Sequence, residues 1–429
     1  MRLLRMLGLL VALWQHRSNA SFIAQEAEVS VVTRGCKNLE STTPLLRLKK
    51  DLFCAYDTNV RPNQYKTATN VTVKLMPKLM EFMGDQGIFT LHSWMAIYWT
   101  DFHLTWIPRD YDGVNFIHVK TYEIWVPDIS VYNSGDMSHD QNELPVTECV
   151  VFSSGSVTCV PAVKYISKCS PDFTYWPYDK HKCRITLGSW SYTGEEIDFN
   201  LVGNGVHMNS YDNNSMWDMK FIDAVKQVKK YKCCPNDTFP KIVYTFELTR
   251  HYGFKHAHVI TPAISLMLLT ITIFWLDSRS VERMAVASVN LICHLLCIFD
   301  LHWQLPYNGI NPPNIMLFYR ESLALTTFAL ILTALLRKLQ YMSMEAPTWI
   351  LSTTSFVLNN KVGRLLFQNN EESKMSEGAV IEENSDIPRS GMQTKESSWR
   401  HLAAIIEWLS FFCVILTYLT ILIMLMPTG

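Results

Sequence analysis

The chain has 429 residues and a formal net charge of −1. This length is enough for two domains, and a charge so close to zero gives no indication of a nucleic-acid partner, so none is predicted. Hydrophobic residues make up 48% of the chain but are unevenly spread, so we interpret the segments separately, in chain order.

Residues 1–20 have the pattern of a secretory signal. Arg2 and Arg5 precede a short apolar run that ends at Trp14, and the small residue Ala20 suits a cleavage site. The alternative is an N-terminal anchor helix, but the apolar run is too short to cross a bilayer. We therefore predict a signal peptide at 1–20, which sends the following segment out of the cell.

Residues 21–252 contain no apolar run of membrane length. Hydrophobic and polar residues alternate over short stretches such as 70–75 and 241–248, and turn sequences separate these stretches. This pattern is typical of an antiparallel β-sandwich. Helical spacing over 44–56 adds a short helix before the first strand. We therefore predict an extracellular β-sandwich with a short N-terminal helix.

After Tyr252 the chain becomes strongly apolar. Segments long enough to cross a bilayer cover residues 259–276, 284–305, 313–336 and 402–426. Basic residues follow the third segment and precede the fourth, which places the loop between them in the cytoplasm. We predict a four-helix transmembrane bundle: 253–336 holds helices one to three, 337–400 is a partly disordered cytoplasmic loop, and 401–429 holds the fourth helix.

The segment 21–252 also holds an even number of cysteines, which in an oxidising compartment indicates four disulfides. These cysteines are Cys36, Cys54, Cys149, Cys159, Cys169, Cys183, Cys233 and Cys234. A hairpin at Ser154 would bring Cys149 opposite Cys159. Cys36 could pair with Cys54 by elimination, but the sequence does not prove this pairing.

Cys233 and Cys234 differ from the other six cysteines of this segment because they are adjacent in the sequence. Neighbouring cysteines close an eight-membered disulfide ring only if the peptide between them is distorted, and such strain often marks a binding loop. The alternatives are two unrelated thiols, or two bridges to distant cysteines.

Three sequons, at Asn70, Asn213 and Asn236, fit glycosylation of an extracellular domain. No close cluster of cysteine and histidine suggests a metal site. No pairing of a nucleophile with a base suggests catalysis. The sequence therefore predicts no metal, no cofactor and no enzyme.

The segment from Cys169 to Cys183 has an aromatic-Pro-aromatic-Asp centre and resembles the signature loop of Cys-loop receptors, which are pentameric ligand-gated ion channels. Further motifs at 99–111, 125–133 and 188–192, together with the vicinal cysteines, resemble a divergent nicotinic acetylcholine receptor subunit of the α type, invertebrate-like. The resemblance covers nearly the whole chain after the signal, apart from the cytoplasmic loop. It implies that Cys169 and Cys183 are bonded.

The resemblance also implies a box of aromatic rings around acetylcholine or a similar quaternary ammonium ligand. Such a cation has no N–H to donate and is held by ring faces. The implied ligand-binding residues are Tyr132, Trp190, Tyr231 and Phe239 on one face, beside Cys233 and Cys234, with Trp99 supplied by a neighbouring subunit. The family usually has tyrosine at the position of Phe239, so we expect Phe239 to change affinity or agonist ranking.

The resemblance further implies coupling and pore residues. Arg250, just before the first span, is expected to pair with Asp179 of the Cys loop. The implied pore stripe consists of Ala285, Val289, Ile292, Leu296, Phe299 and Trp303, with Glu282 at the cytoplasmic mouth to favour cations. Asn290 and His294 lie off this stripe, so either they bond to adjacent helices or the helix is rotated.

Two functions follow. The first is a subunit of an acetylcholine-gated cation channel, in a plasma-membrane heteropentamer with other receptor subunits, at a synapse. The alternative is a non-conducting binding or modulatory subunit. The apolar stripe favours the alternative, since a homopentamer would line its whole pore with it, whereas Glu282 favours the channel.

Overall fold

The structure is a computed structural model that describes residues 43–63, 67–136, 144–305, 312–342, 344, 346–359 and 390–425. The predicted signal peptide and Cys36 lie outside these residues. The first described element is helix α1 (Pro44–Phe53), which begins with a proline in its first turn, where a missing N–H costs nothing. The short helix predicted before the first strand is therefore present.

Strands follow from Thr69 to Arg250. They are β1 (Thr69–Met83), β2 (Ile88–Thr105), β3 (Phe116–Lys120), β4 (Ser130–Val131), β5 (Glu148–Phe152), β6 (Ser154–Cys159), β7 (Ala162–Lys168), β8 (Lys180–Gly188), β9 (Ile197–Val206), β10 (Trp217–Tyr231) and β11 (Cys234–Arg250). Buried and exposed residues alternate along β1, β7 and β8, as expected when one face of each strand meets a core.

The strands form two sheets. The larger has the order β3-β5-β6-β2-β1-β9, with β7 also paired to β2, and the smaller has the order β10-β11-β8-β4. One cluster of buried side chains lies between them and includes Leu75 and Ile97 from the larger sheet and Tyr244 and Phe246 from the smaller. The predicted β-sandwich is confirmed.

Helices follow the last strand: α2 (Gly253–Trp275), α3 (Val281–Gln304), α4 (Asn314–Gln340), α5 (Thr348–Asn359) and α6 (Ser390–Leu425). Among the described residues α2, α3, α4 and the Ser398–Leu425 part of α6 are long and apolar enough to cross a membrane. The predicted four-helix bundle is confirmed. Helix α4 continues past residue 336, and α5 forms within the predicted cytoplasmic loop.

The off-stripe polar residues of α3 bond to the other helices. Asn290 Nδ2 donates to Thr270 Oγ1 of α2 at 2.9 Å, and an imidazole nitrogen of His294 lies 2.7 Å from Ser322 Oγ of α4. Ser322 Oγ in turn lies 2.8 Å from the Tyr418 hydroxyl of α6. Partners for Asn290 and His294 within the subunit remove the need for a rotated α3.

A second polar contact ties the other end of α3 to the bundle. Arg283 is fully buried; it donates to the Leu276 carbonyl at 2.7 Å and to Thr333 Oγ1 at 3.0 Å, and it pairs with Glu407 of α6. A buried charge needs such partners, because leaving one unpaired costs several kcal/mol (about 3–5). These contacts hold α3 against α4 and α6.

The Cys loop lies where the sandwich meets the helices. The Thr174 carbonyl accepts a hydrogen bond from the Asn314 N–H of α4 at 2.9 Å, and the Tyr178 hydroxyl bonds to the His256 ring of α2. Beside them, Arg250 donates Nε to Asp179 Oδ1 at 2.7 Å and Nη2 to Oδ2 at 2.9 Å. The predicted partner of Arg250 is thus in place.

Asp179 is a buried carboxylate that pairs with Arg250 and His181. Burial alone would raise its pKa, but hydrogen bonds from His181 and Arg250 outweigh burial and hold the pKa of Asp179 below its ordinary value. The stability it contributes is complete above the unfolded pKa of about 3.9 and is lost as the pH falls through the lower folded pKa.

We predict that Asp179→Asn destabilises the sandwich by about 3–5 kcal/mol, because it leaves the largely buried Arg250 side chain, 11% exposed, without its counter-charge. Thermal unfolding of the purified full chain at neutral pH measures the change. Asp85→Asn, which alters an exposed carboxylate in the turn between β1 and β2, is the matched control and should stay within about 0.5 kcal/mol of wild type. Equal melting temperatures for the two variants would contradict the ion pair's role.

Candidate ligand-binding site

Strand pairing in the smaller sheet gathers four predicted ring-bearing residues at one end. Gly188, the last residue of β8, pairs with Ser130 of β4 on one side and Lys241 of β11 on the other. Tyr132 directly follows β4, and Trp190 follows β8 by two residues. Tyr231 and Phe239 belong to the β10–β11 hairpin that extends past this point.

Tyr132 and Trp190 form an edge-to-face pair with ring centroids 6.2 Å apart. The Tyr132 hydroxyl donates to the Ser189 carbonyl. Burial, followed by the charges of Tyr231 and Asp128, raises the pKa of Tyr132 to about 12, so it stays a neutral phenol. A Cβ on Gly188 would lie 2.7 Å from Tyr132 Cζ, which explains the glycine here.

Asp128 fixes the loop that carries Trp190. Its Oδ2 accepts hydrogen bonds from the Trp190 N–H at 2.9 Å, the Ser191 N–H at 2.7 Å and Ser189 Oγ at 3.1 Å. The Trp190 side chain itself remains 76% exposed, which is unusual for an indole and leaves its ring available to a ligand or partner. This role of Asp128 has no local signal in the sequence, because the N–H groups that it binds lie about 60 residues further along the chain.

The hairpin tip carries the second pair of rings. Tyr231 and Phe239 meet edge to face with centroids 5.3 Å apart. The tip is tied to the Trp190 loop, because the Gly194 N–H donates to the Thr238 carbonyl at 2.6 Å and Thr238 Oγ1 donates to Glu195 at 3.0 Å. These bonds bring the two ring pairs toward one site.

Cys233 and Cys234 do not form the predicted disulfide with each other. Cys233 and Cys234 are free thiols with their sulfurs 2.9 Å apart, longer than the roughly 2.05 Å of a disulfide. A hydrogen bond to the Cys233 sulfur raises the pKa of the Cys234 thiol. Tyr231 pairs with Cys234 across the hairpin, so the sulfurs still lie beside the rings.

Trp99 does not lie on an outer face of the subunit, contrary to its predicted role toward a neighbouring subunit. Only 3% of this side chain is exposed, and its ring packs on Trp125 in the core with centroids 6.1 Å apart, so it cannot face a neighbouring subunit. Trp94, five residues earlier on β2, is 42% exposed. Residues an odd number apart on a strand point to opposite faces, so this parity would have shown that Trp94 and Trp99 cannot both face the core.

The remaining extracellular predictions concern disulfides and glycans. Cys149 is bonded to Cys159, and Cys169 to Cys183. Cys54 is disulfide-bonded as well. The three sequon asparagines, Asn70, Asn213 and Asn236, are all exposed.

Helix α3 presents the predicted pore stripe on one face. Its six residues are all exposed in the single subunit: Ala285, Val289, Ile292, Leu296, Phe299 and Trp303. Ala287, Asn290 and His294 are buried on the opposite face. Glu282 is also exposed, in the first turn of the helix, where a negative charge suits the helix dipole.

Comparison with known proteins identifies the class. Residues 45–252 match the family described as the neurotransmitter-gated ion-channel ligand binding domain. This match shows that residues 45–252 form a ligand-binding domain of the neurotransmitter-gated ion-channel family, and the bonded Cys loop and the long apolar helices that follow agree with it. The matched family is one of ion channels and not of enzymes.

Within that family the chain is similar to acetylcholine receptor subunits of the α type. It is 27% identical to neuronal acetylcholine receptor subunit alpha-3 of Carassius auratus over 312 residues, 71% of this chain and 60% of the relative. It is 29% identical to an acetylcholine receptor subunit alpha-like protein of Manduca sexta, over 70% of this chain and 60% of the relative. The chain therefore spans about 60% of the length of these relatives.

We predict opposite outcomes for the two tryptophans of β2. Trp99→Ala should destabilise the fold by about 3–5 kcal/mol, because it opens a cavity in the core. Trp94→Ala, on the exposed face of the same strand, should change the stability by about 0.5 kcal/mol or less. Thermal unfolding of the two purified full-length variants provides the comparison. A stable Trp99→Ala variant beside an unstable Trp94→Ala variant would reverse our assignment.

Proposed function

We propose that this chain is a subunit of a cation channel opened by acetylcholine or a similar quaternary ammonium ligand. The observation that carries the proposal is the arrangement of Tyr132, Trp190, Tyr231 and Phe239 as two edge-to-face pairs at one end of the smaller sheet. The family match supports the channel, and the names of the relatives support the ligand.

The chemistry of the site suits a cation that cannot donate a hydrogen bond. The negative faces of aromatic rings attract such a cation, with an indole the strongest, and a desolvated contact contributes about 2 kcal/mol. The Asp128 carboxylate already accepts three hydrogen bonds from the Trp190 loop. The ligand would therefore meet ring faces rather than an unpaired carboxylate.

A neighbouring subunit would complete the site. Trp190 is largely exposed in the single subunit, so the site needs a second surface to exclude water from the ligand. We propose that the exposed Trp94, in place of the buried Trp99, belongs to the face that each subunit offers to the next.

Transmission to the membrane would follow the smaller sheet. Strand β8 runs from Lys180, next to Asp179, to Gly188, two residues before Trp190. Arg250, at the end of β11, holds Asp179, and the Cys loop beside them contacts α2 and α4. A ligand that binds one arrangement of the site more tightly would shift this junction toward the open state.

The proposed pore is lined by the exposed stripe of α3, with Ile292 in a hydrophobic gate and Glu282 at the cytoplasmic mouth. Five copies of this stripe would make a strongly apolar lining. We therefore propose that the chain works in a heteropentamer, with partner subunits that supply polar pore residues, in the plasma membrane of a synapse.

Oocyte recording with applied acetylcholine tests the proposal. We expect little current from the chain alone and clear current when it is expressed with nicotinic partner subunits. Trp190→Ala should raise the half-maximal acetylcholine concentration about 30-fold, since it removes one desolvated ring contact of about 2 kcal/mol. Trp408→Ala, which alters a tryptophan of α6 far along the chain from the site, is the control.

Labelled-ligand binding to the same oocytes separates the remaining outcomes. Binding without current in any combination would favour the non-conducting subunit. Robust current from the chain alone would contradict the heteropentamer, and an unchanged response of Trp190→Ala would contradict the site.

A further inference from the structure

A lysine of the chain already occupies part of the proposed site. Lys229 Nζ lies 4.7 Å from the centroid of the Tyr231 ring. Ammonium groups within about 6 Å of a ring centroid are attracted by its negative face. The ring that should hold a ligand's cation therefore has a cation of its own.

The strand geometry places the two side chains together. Lys229 and Tyr231 are two residues apart at the end of β10, where the pairing with β11 shifts register between them, and the Lys229 ammonium lies over the Tyr231 ring. Lys229 is also the cross-strand partner of Phe239, which meets the Tyr231 ring edge to face. The lysine is thereby held beside both rings of the hairpin tip.

We propose that Lys229 is a tethered competitor: its ammonium holds the Tyr231 ring in the unliganded subunit, and an organic cation must displace it to bind. This inference rests on the proposed function, because it needs a cation site at these rings. Lys229 then sets the affinity of the site without belonging to the cage itself.

The neighbouring Lys230 supplies a matched comparison. It carries the same charge one residue further on, and both lysines are exposed. Among the described residues, the lysine whose ammonium lies over the Tyr231 ring is Lys229. Loss of either charge weakens the general repulsion of a ligand cation to a similar degree. Only the loss of Lys229 also frees the ring.

The test measures equilibrium binding of radiolabelled acetylcholine to membranes that contain the full chain with a nicotinic partner subunit. Lys229→Gln should tighten binding about two- to fivefold, the range expected for an exposed contact between an ammonium and a ring. Lys229→Arg keeps a cation over the ring and should bind like wild type. Lys230→Gln should give a clearly smaller change than Lys229→Gln.

A second probe, 3,3-dimethylbutyl acetate, has the shape of acetylcholine without its charge. Its competition for the site should strengthen in Lys229→Gln by a factor similar to that of acetylcholine, because any ligand that takes the ring must displace the ammonium, whereas a mere loss of charge repulsion would leave a neutral ligand unchanged. Equal affinities of wild type and Lys229→Gln, or equal shifts in Lys229→Gln and Lys230→Gln, would overturn the inference while leaving the proposed function intact. Absence of acetylcholine binding in wild type and every variant would overturn the proposed function, and the inference with it.

Discussion

The register of the smaller sheet is the constraint on which the rest of the structure depends. Strand β8 pairs with β11 without interruption from Lys180 to Gly188. The nine residues make eight steps of about 3.3 Å, which separate the two ends by roughly 26 Å. One end carries the rings and the other carries Asp179 and Arg250, so a single hydrogen-bonded element connects the proposed ligand site to the membrane helices.

This arrangement places different physical demands on the two ends. At the membrane end, the buried Asp179 carboxylate needs hydrogen-bond and charge partners. Arg250 and His181 supply them. At the ligand end, Trp190 keeps its ring exposed while Asp128 fixes its backbone. A rigid backbone with an open ring face is what a site for a large soft cation needs, because little ordering remains for the ligand to impose.

Much of the architecture could be read from the sequence. Period-two patterns predicted the strands, and the apolar lengths predicted the helices, since burial on one face or in a membrane leaves a direct mark on composition. The predicted grouping of Tyr132, Trp190, Tyr231 and Phe239 around one ligand stays a prediction, and the structure adds ring contacts between Tyr132 and Trp190 and between Tyr231 and Phe239. The dependence of this grouping on Asp128 was missed because a hydrogen bond to distant backbone N–H groups has no local pattern.

The sequence alone did not decide whether Trp94 or Trp99 faces the core. Both lie on β2, and a motif that names one of them says nothing about which face of the strand meets the core. Pairing of β2 with β1, β6 and β7 decides this and buries Trp99. In the same way, the partners of Arg283 and His294 come from helices far along the chain, and only the assembled bundle reveals them.

The most direct test of the central claim is an experimental structure of the assembled receptor with acetylcholine bound. Our account predicts that the ligand's ammonium lies within about 6 Å of the ring centroids of Trp190, Tyr132 and Tyr231, at a boundary between two subunits. Ligand density elsewhere, with these rings apart and unoccupied, would contradict it.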